Sequence, residues 1–140
     1  QCALGISQLR KLDFFVSRRR EIAKQYDIAF GSDEGFIIPS VSKNIGHAFH
    51  LYPLQLKFDE LNTEKKHFFE VMKIRGIILQ VHYIPVHLQP YYQRNYDFRV
   101  GDFPYAEQFY KNEISIPIYP DLLFEQQQQV INSINHSINI

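Results

Sequence analysis

Apolar side chains recur at helical spacing over the first 26 residues of the chain. One helix face is made of Leu9, Leu12, Val16 and Ala23. The positions that flank this face are Phe15, Ile22 and Tyr26. The sequence before this pattern, from Gln1 to Leu4, lacks the Ser, Thr, Asp or Asn that usually caps a helix. The pattern therefore predicts one long amphipathic helix already under way at residue 1, and we expect the chain to be part of a longer protein.

Two short apolar runs follow this helix. Residues 36–38 predict an edge strand within a segment punctuated by glycine and proline. Residues 48–58 predict a second strand, although their alternation is imperfect. Pro53 has no N–H to donate to a sheet, so it indicates an edge position or a bulge.

A helix and a third strand come next. Asn62 or Thr63 is placed to cap a helix that ends at Arg75, and Gly76 provides its C-terminal stop. The apolar run 77–81 then predicts a strand. Strand, helix and strand in this order predict a β-α-β unit, with parallel pairing or, if another strand lies between, a mixed sheet.

The last third of the chain predicts two helices separated by a strand. Residues 94–101 form a polar connector, and residues 102–112 predict a helix with a proline in its first turn. Residues 114–118 predict a short strand whose proline indicates an edge. Asp121 is placed to cap a final helix, in which the glutamine run 126–129 predicts a solvated face. Together these elements predict an α+β fold, a small sheet covered by helices.

Composition narrows the class of protein. The 140 residues are enough for one domain, and 15 basic side chains balance 15 acidic ones, which argues against a nucleic-acid or anionic-membrane surface. Arg18, Arg19 and Arg20 spread around a helix and predict a solvated face or a partner contact. The single cysteine, Cys2, cannot form an internal disulfide, and no apolar run is long enough to cross a bilayer. We therefore expect a cytoplasmic protein.

The stretch from Gly76 to Tyr92 carries the clearest chemical signal. An apolar strand ends there in a loop with many hydrogen-bonding rings, and loops at strand ends commonly display binding groups. Each ring alone is more typical of a small core, whereas the cluster indicates a binding site. Its candidate residues are His82, Tyr83, His87, Gln89 and Tyr92.

Metal and nucleophile chemistry are weaker alternatives. His82 and His87, with His47 and His50, are the best candidates for a metal site, but no Cys, Asp or Glu lies near either pair in sequence. Ser115 lies between isoleucines with no base placed by sequence, and no glycine-rich phosphate loop is present. From the residues alone, we expect a soluble α+β module with one polar, ring-lined edge and no metal site.

Four segments in this order resemble the C-terminal part of the pyridoxal-phosphate-dependent (PLP) sugar aminotransferases of the DegT/DnrJ/StrS family. The segments are ALGISQLRKLDFFVSRRREIAKQYD, HLYPLQL, RGIILQVHYIPVHLQPYY and FPYAEQFYKNEISIPIYPDL. Within the family, the resemblance is closest to members that aminate the 4-keto carbon of a UDP-linked 4-keto-6-deoxy sugar in pseudaminic-acid biosynthesis. The resemblance covers essentially the whole chain.

This resemblance implies the small C-terminal domain of the aspartate-aminotransferase fold, PLP type I. Residues 1–27 would form the long helix that links it to an N-terminal PLP domain, and residues 28–140 would form the small α+β domain. The cofactor would be bound mainly by that N-terminal domain, because no lysine here matches the family's Schiff-base lysine. We therefore expect no catalytic residue in this chain and no activity of the chain alone.

The resemblance also implies binding residues and partners. His82 and Tyr83 match the family's HY pair after the GI strand and are expected to line the sugar-nucleotide site, with His87, Gln89 and Tyr92 beside them. These side chains would donate hydrogen bonds to sugar or phosphate oxygens. The implied partners are a UDP-sugar, an amino donor that is usually glutamate in this family, and a second copy in a homodimer. The alternative is a non-catalytic binding or interaction module of the same fold.

Overall fold

The computed structural model describes residues 1–61 and 63–138. Its helices are α1 (Cys2–Leu9), α2 (Leu12–Phe30), α3 (Lys65–Ile74), α4 (Pro90–Tyr96), α5 (Pro104–Asn112) and α6 (Phe124–Ile138). Its strands are β1 (Phe36–Ile37), β2 (Tyr52–Leu56) and β3 (Glu113–Ile116), and Val86–Leu88 form a 3-10 turn. This arrangement confirms the predicted α+β class, a small sheet covered by helices.

The three strands form an antiparallel sheet in the order β1-β2-β3. Pro53 was predicted at an edge or a bulge, yet it lies in the central strand opposite Ser115. The sheet tolerates it because β1 is short and pairs only with Gln55 and Leu56. Pro53 therefore lies beyond the end of β1, at a position that is locally an edge.

The predicted β-α-β unit is wrong in its direct parallel or mixed pairing, but the alternative in which another strand lies between the two strands is what the structure shows, with antiparallel pairing throughout. The run 77–81 joins the sheet only through Gln80, which exchanges two backbone hydrogen bonds with Ser115 in an antiparallel bridge (2.8 and 3.2 Å). Both β2 and Gln80 run antiparallel to β3, so β3 lies between two segments that point the same way. The crossover was predicted, but β3 comes from the far end of the chain, and local pattern does not show where a distant strand inserts.

The predicted single helix over residues 1–26 is divided at residues 10–11 into α1 and α2. α1 buries none of its residues, and Leu9 and Leu12, predicted on the apolar face, are exposed. Burial along α2 begins at Ile22 and continues to its last residue, Phe30. Only the second half of the predicted helix therefore packs against the sheet.

Three helices cover the core of the domain. α6 packs against α2 and α3, and the buried side chains of all three helices belong to the same core cluster as those of β2 and β3. The largest fully buried apolar side chains are Tyr26, Tyr52, Phe30, Phe68, Ile22, Leu54, Leu56, Met72, Ile114 and Ile134. All four residues of β3 are buried, so this strand forms the centre of the domain.

Helix ends follow the predictions only in part. Gly76 ends α3 in the left-handed region (φ 77°). Its N–H donates to the Lys73 carbonyl and the Ile77 N–H donates to the Met72 carbonyl, which is the pair of hydrogen bonds that defines a Schellman motif. The predicted cap at Thr63 is wrong because Glu64 is the N-cap of α3, and Asn62 lies outside the described residues. At the start of α6 the Gln126 side chain accepts the Leu123 N–H, whereas Asp121 lies in the preceding turn. α5 matches its prediction, and α4 was missed within the predicted loop and connector.

Hydrogen bonds correct two predictions of solvated surface in part, since Gln126, Gln129 and Arg20 are exposed as predicted. Gln127 is buried and donates to the Ile22 carbonyl (2.8 Å), so the glutamine run helps to join α6 to α2. The three arginines at 18–20 bind backbone carbonyls of other segments, which are those of His47, Phe49, His50, Ile118 and Leu122. These side chains fasten α2 to the rest of the domain.

Candidate functional site

A hydrogen-bonded chain of three residues holds His82 at the end of the run 77–81. The backbone N–H of His82 donates to Oε2 of Glu113 (3.0 Å), and its Nδ1 lies 2.8 Å from Oγ of Ser115. The Ser115 hydroxyl donates to Oε1 of Glu113 at 2.5 Å. Glu113 is fully buried, so β3 places a carboxylate beneath His82. We call these three residues the His82 relay.

A cavity of about 470 Å³ lies beside β3, and the His82 relay reaches it through His82 and Ser115. Polar groups from three segments also line it, which are His50, Gln80, Tyr119, Gln126 and Gln129. Tyr83, His87, Gln89 and Tyr92 do not line this cavity. Among the described residues no lysine or arginine lines it, so it offers hydrogen bonds rather than positive charge.

Tyr83 is the second residue of the predicted pair. Its ring packs edge-on against that of His82, with the ring centres 4.7 Å apart, and the peptide bond between the two residues is cis. Tyr83 is 71% exposed. Its hydroxyl is therefore open to a ligand or to another surface.

His87 has a different environment from His82. It is 6% exposed, and its Nε2 donates to Oε1 of Glu107 at 2.8 Å. The Glu107 carboxylate also accepts the backbone N–H groups of Gly101 and Phe103. Burial raises the pKa of Glu107, but the hydrogen bonds from Gly101, His87 and Phe103 outweigh it and hold the pKa below its ordinary value. His87 thus fastens the 82–92 loop to α5.

Gln89 and Tyr92 lie at the start of α4. The Gln89 carbonyl accepts the Tyr92 N–H (2.9 Å), and its side chain reaches back to the Ile84 carbonyl (3.5 Å). The Tyr92 ring contacts those of Tyr91 and Tyr96. Through this contact Tyr92 belongs to a row of rings that continues to Phe98, Phe103 and His87. The predicted residues therefore divide into His82 and Tyr83 near the cavity, His87 and Tyr92 on the ring row, and Gln89 at the start of α4.

Sequence reasoning missed the two glutamates that hold the histidines. Glu113 and Ser115 lie more than thirty positions from His82, and Glu107 lies twenty positions from His87. The alternation of 114–118 placed Ser115 in a strand, but only the pairing of Gln80 with Ser115 brings it to His82. The Ser115 hydroxyl donates to the Glu113 carboxylate and not to the His82 imidazole, so the arrangement is not the Ser–His pair of a nucleophilic site.

The metal alternative has no cluster to support it. Within the described ranges 1–61 and 63–138, no three His, Cys, Asp or Glu side chains come together in a way that could hold a metal ion. His82 and His87 direct ring nitrogens to different partners, Ser115 and Glu107.

Among the described residues, no helix has the length and apolar character needed to cross a bilayer.

Comparison with known families assigns the chain. Residues 1–135 match the DegT/DnrJ/EryC1/StrS aminotransferase family. The chain belongs to this family. The resemblance found in the four sequence segments is thereby confirmed over almost the whole chain.

Two curated proteins are similar to this chain over almost its whole length. The spore coat polysaccharide biosynthesis protein SpsC of Bacillus subtilis is 38% identical over 96% of this chain and 35% of its own length. The UDP-4-amino-4,6-dideoxy-N-acetyl-beta-L-altrosamine transaminase of Helicobacter pylori is 36% identical over 96% of this chain and 35% of its own length. The chain thus spans about a third of the length of the curated relatives it matches.

Solved structures agree with the fold. Helicobacter pylori PseC, an aminotransferase involved in pseudoaminic acid biosynthesis, is 32% identical with a TM-score of 0.87, over 98% of this chain and 36% of that one. Spr1654 of Streptococcus pneumoniae, solved in PLP and PMP forms, is 25% identical with a TM-score of 0.87, over 97% of this chain and 34% of that one. The fold of the chain is that of the C-terminal domain of PLP aminotransferase structures.

Proposed function

We propose that this chain is the small-domain part of a PLP-dependent nucleotide-sugar aminotransferase. The observation that carries the proposal is the match of residues 1–135 to the aminotransferase family. Residues 1–27 would link the domain to a cofactor-binding domain, and residues 28–140 would form one wall of the sugar site. The full enzyme would act in the cytoplasm as a homodimer, with a UDP-linked 4-keto-6-deoxy sugar as substrate and glutamate as amino donor. The names of the H. pylori relatives support that sugar class.

The residues of this chain do not fit the cofactor on their own. A lysine amine is needed for the imine and cationic or N–H groups for the phosphate, yet no described lysine or arginine lines the cavity beside β3. Burial lowers the pKa of Lys65 against an opposing effect of Glu113, and its Nζ donates to the Tyr110 carbonyl (2.6 Å) away from that cavity. We therefore assign the cofactor to the part of the enzyme outside this chain.

The chain's own contribution is to shape and hydrogen-bond the substrate. The His82 relay fixes one ring beside the cavity, and the exposed Tyr83 stands next to it. Gln89 and Tyr92 extend the polar edge along the start of α4. The contact with Glu107 supports His87 as a residue that holds this loop in position, with the substrate bound by its neighbours.

Cofactor binding by the 140-residue chain and by the full-length gene product tests the proposal. We expect the visible absorbance of the lysine imine, and its loss on borohydride reduction, in the full-length protein alone. An imine formed by the 140-residue chain would contradict the assignment of the cofactor to the remainder of the enzyme. No imine in either protein would overturn the aminotransferase proposal and favour a non-catalytic binding module.

A matched pair of variants tests the wall separately. His82→Ala in the full-length enzyme removes one hydrogen bond to the substrate and should raise KM for the UDP-sugar about tenfold, as expected for one hydrogen bond. The imine absorbance should not change. His67→Ala is the control, because His67 is exposed on α3. An unchanged KM for His82→Ala would reject the wall role while leaving the cofactor result intact.

A further inference from the structure

The hydrogen bonds of the His82 relay have a direction that can be followed atom by atom. Oε2 of Glu113 accepts the backbone N–H of His82, and Oε1 accepts the Ser115 hydroxyl. A hydroxyl has one hydrogen, and in Ser115 that hydrogen is directed to Glu113. Ser115 Oγ can therefore only accept from Nδ1 of His82, which lies 2.8 Å away.

We propose that Glu113 and Ser115 are positioning residues that fix the tautomer of His82. Neutral His82 carries its proton on Nδ1, so Nε2 is left as a hydrogen-bond acceptor. No partner for Nε2 is found among the described residues, and the His82 side chain lines the cavity beside β3. Through the relay, the buried Glu113 carboxylate thus fixes Nε2 of His82 as a hydrogen-bond acceptor at the edge of that cavity.

This assignment changes the chemistry expected of the ligand. The family resemblance implies that His82 donates a hydrogen bond to a sugar or phosphate oxygen, whereas neutral His82 in the relay accepts one. The group that it recognises is therefore a donor, such as a sugar hydroxyl or an amide N–H, and not a phosphate oxygen. The identity of that ligand rests on the proposed function, but the tautomer does not.

Glu113→Gln should reverse the relay. The backbone N–H of His82 still needs an acceptor, so the amide oxygen of the new side chain must face it. The amide NH₂ then points at Ser115 and donates to Oγ, and the Ser115 hydroxyl turns to donate to Nδ1 of His82. His82 must then carry its proton on Nε2, so a substitution of nearly equal volume exchanges its acceptor for a donor.

The tautomer is measured by ¹⁵N NMR of the imidazoles in the ligand-free 140-residue chain, well above the ordinary histidine pKa of about 6.5. The protonated and unprotonated ring nitrogens give separate ¹⁵N signals, and loss of signals in His82→Gln assigns those of His82. We expect Nδ1–H in the native chain and Nε2–H in Glu113→Gln. His87 is the internal control, because Glu107 holds it as Nε2–H in both proteins.

A second variant covers the case in which Glu113→Gln does not fold. Ser115→Ala removes the acceptor of Nδ1–H with a small change in volume, and it should lower the Nδ1–H population of His82. A native chain with Nε2–H or an even mixture would overturn the proposal, since it would mean that Glu113 is protonated or that the relay is not directional. An unchanged Nδ1–H population in the folded variants would overturn it as well. None of these results depends on whether the full enzyme is a sugar aminotransferase.

Discussion

At the scale of single residues, two carboxylates determine what the histidines of the 82–92 loop can do. Glu113 acts on His82 through Ser115, while Glu107 binds His87 directly. The same residue type thus has two environments five positions apart. The first leaves one ring nitrogen for a ligand, and the second fastens the loop.

The Glu107 carboxylate should make the free energy of unfolding of the domain depend on pH in the acidic range. Its pKa is held below the ordinary 4.5, because hydrogen bonds from Gly101, His87 and Phe103 outweigh the effect of burial. The folded chain therefore binds this proton less readily than the unfolded chain. The stabilisation is complete above pH 4.5, and it is lost as the pH falls through the lower pKa that Glu107 has in the folded chain.

We expect Glu107→Gln to lower the free energy of unfolding at neutral pH, and the difference from the native chain to shrink as the pH falls below 4.5. Urea denaturation over this pH range measures both quantities. Glu70→Gln on α3 is the control, because Glu70 is exposed. A deficit of Glu107→Gln that stays constant with pH would show that the substitution acts through packing and not through the charge.

At the scale of secondary-structure elements, α2 is attached to the domain by side chains as well as by its apolar face. Nη1 of Arg19 reaches three carbonyls, those of Phe49 (3.0 Å), His50 (3.0 Å) and Ile118 (3.2 Å). These carbonyls belong to the loop before β2 and to the segment after β3. One guanidinium therefore joins three parts of the chain that are distant in sequence.

Arg19→Lys should lower the free energy of unfolding by about 1–2 kcal/mol, because the lysine Nζ is one atom nearer the backbone than Nη1 of Arg19 and would not reach the three carbonyls from the same position. Arg10→Lys is the matched control, since Arg10 is exposed between α1 and α2. Chemical denaturation of both variants measures the effect. Equal stability of the two variants would indicate that the Arg19 contacts add nothing beyond those of a surface charge.

Local signals predicted the elements better than their arrangement. Gly76 predicts a helix stop because the left-handed backbone conformation that ends a helix favours glycine, and this preference depends only on the local sequence. Pro53 misleads because its tolerance depends on the length of β1, and Gln127 misleads because its partner is the Ile22 carbonyl of another helix. The candidate site divides in the same way, since the ring-rich loop is visible in the sequence but Glu113, Ser115 and Glu107 reach it only through the fold.

At the scale of the whole molecule, α1 is an element whose apolar side chains the described residues leave uncovered. It has eight residues and buries none of them, although Leu4, Ile6 and Leu9 are large, apolar and exposed. Isolated helices of this length are marginal in water, because most helical stability in proteins comes from packing an apolar face. The chain also spans only about a third of its curated relatives, at 35% for both SpsC and the H. pylori transaminase.

We therefore expect α1 to be stable only where the remainder of a longer protein covers it. Amide hydrogen exchange followed by mass spectrometry should show little protection over residues 2–9 in the 140-residue chain and strong protection in the full-length protein. Residues 22–30 are the internal control, because this half of α2 is anchored in the core and should be protected in both proteins. Strong protection of α1 in the shorter chain at low concentration would mean that α1 is stable without such cover. Protection that rises with concentration would instead identify a second copy as the cover, since exposed apolar surface of this kind favours self-association.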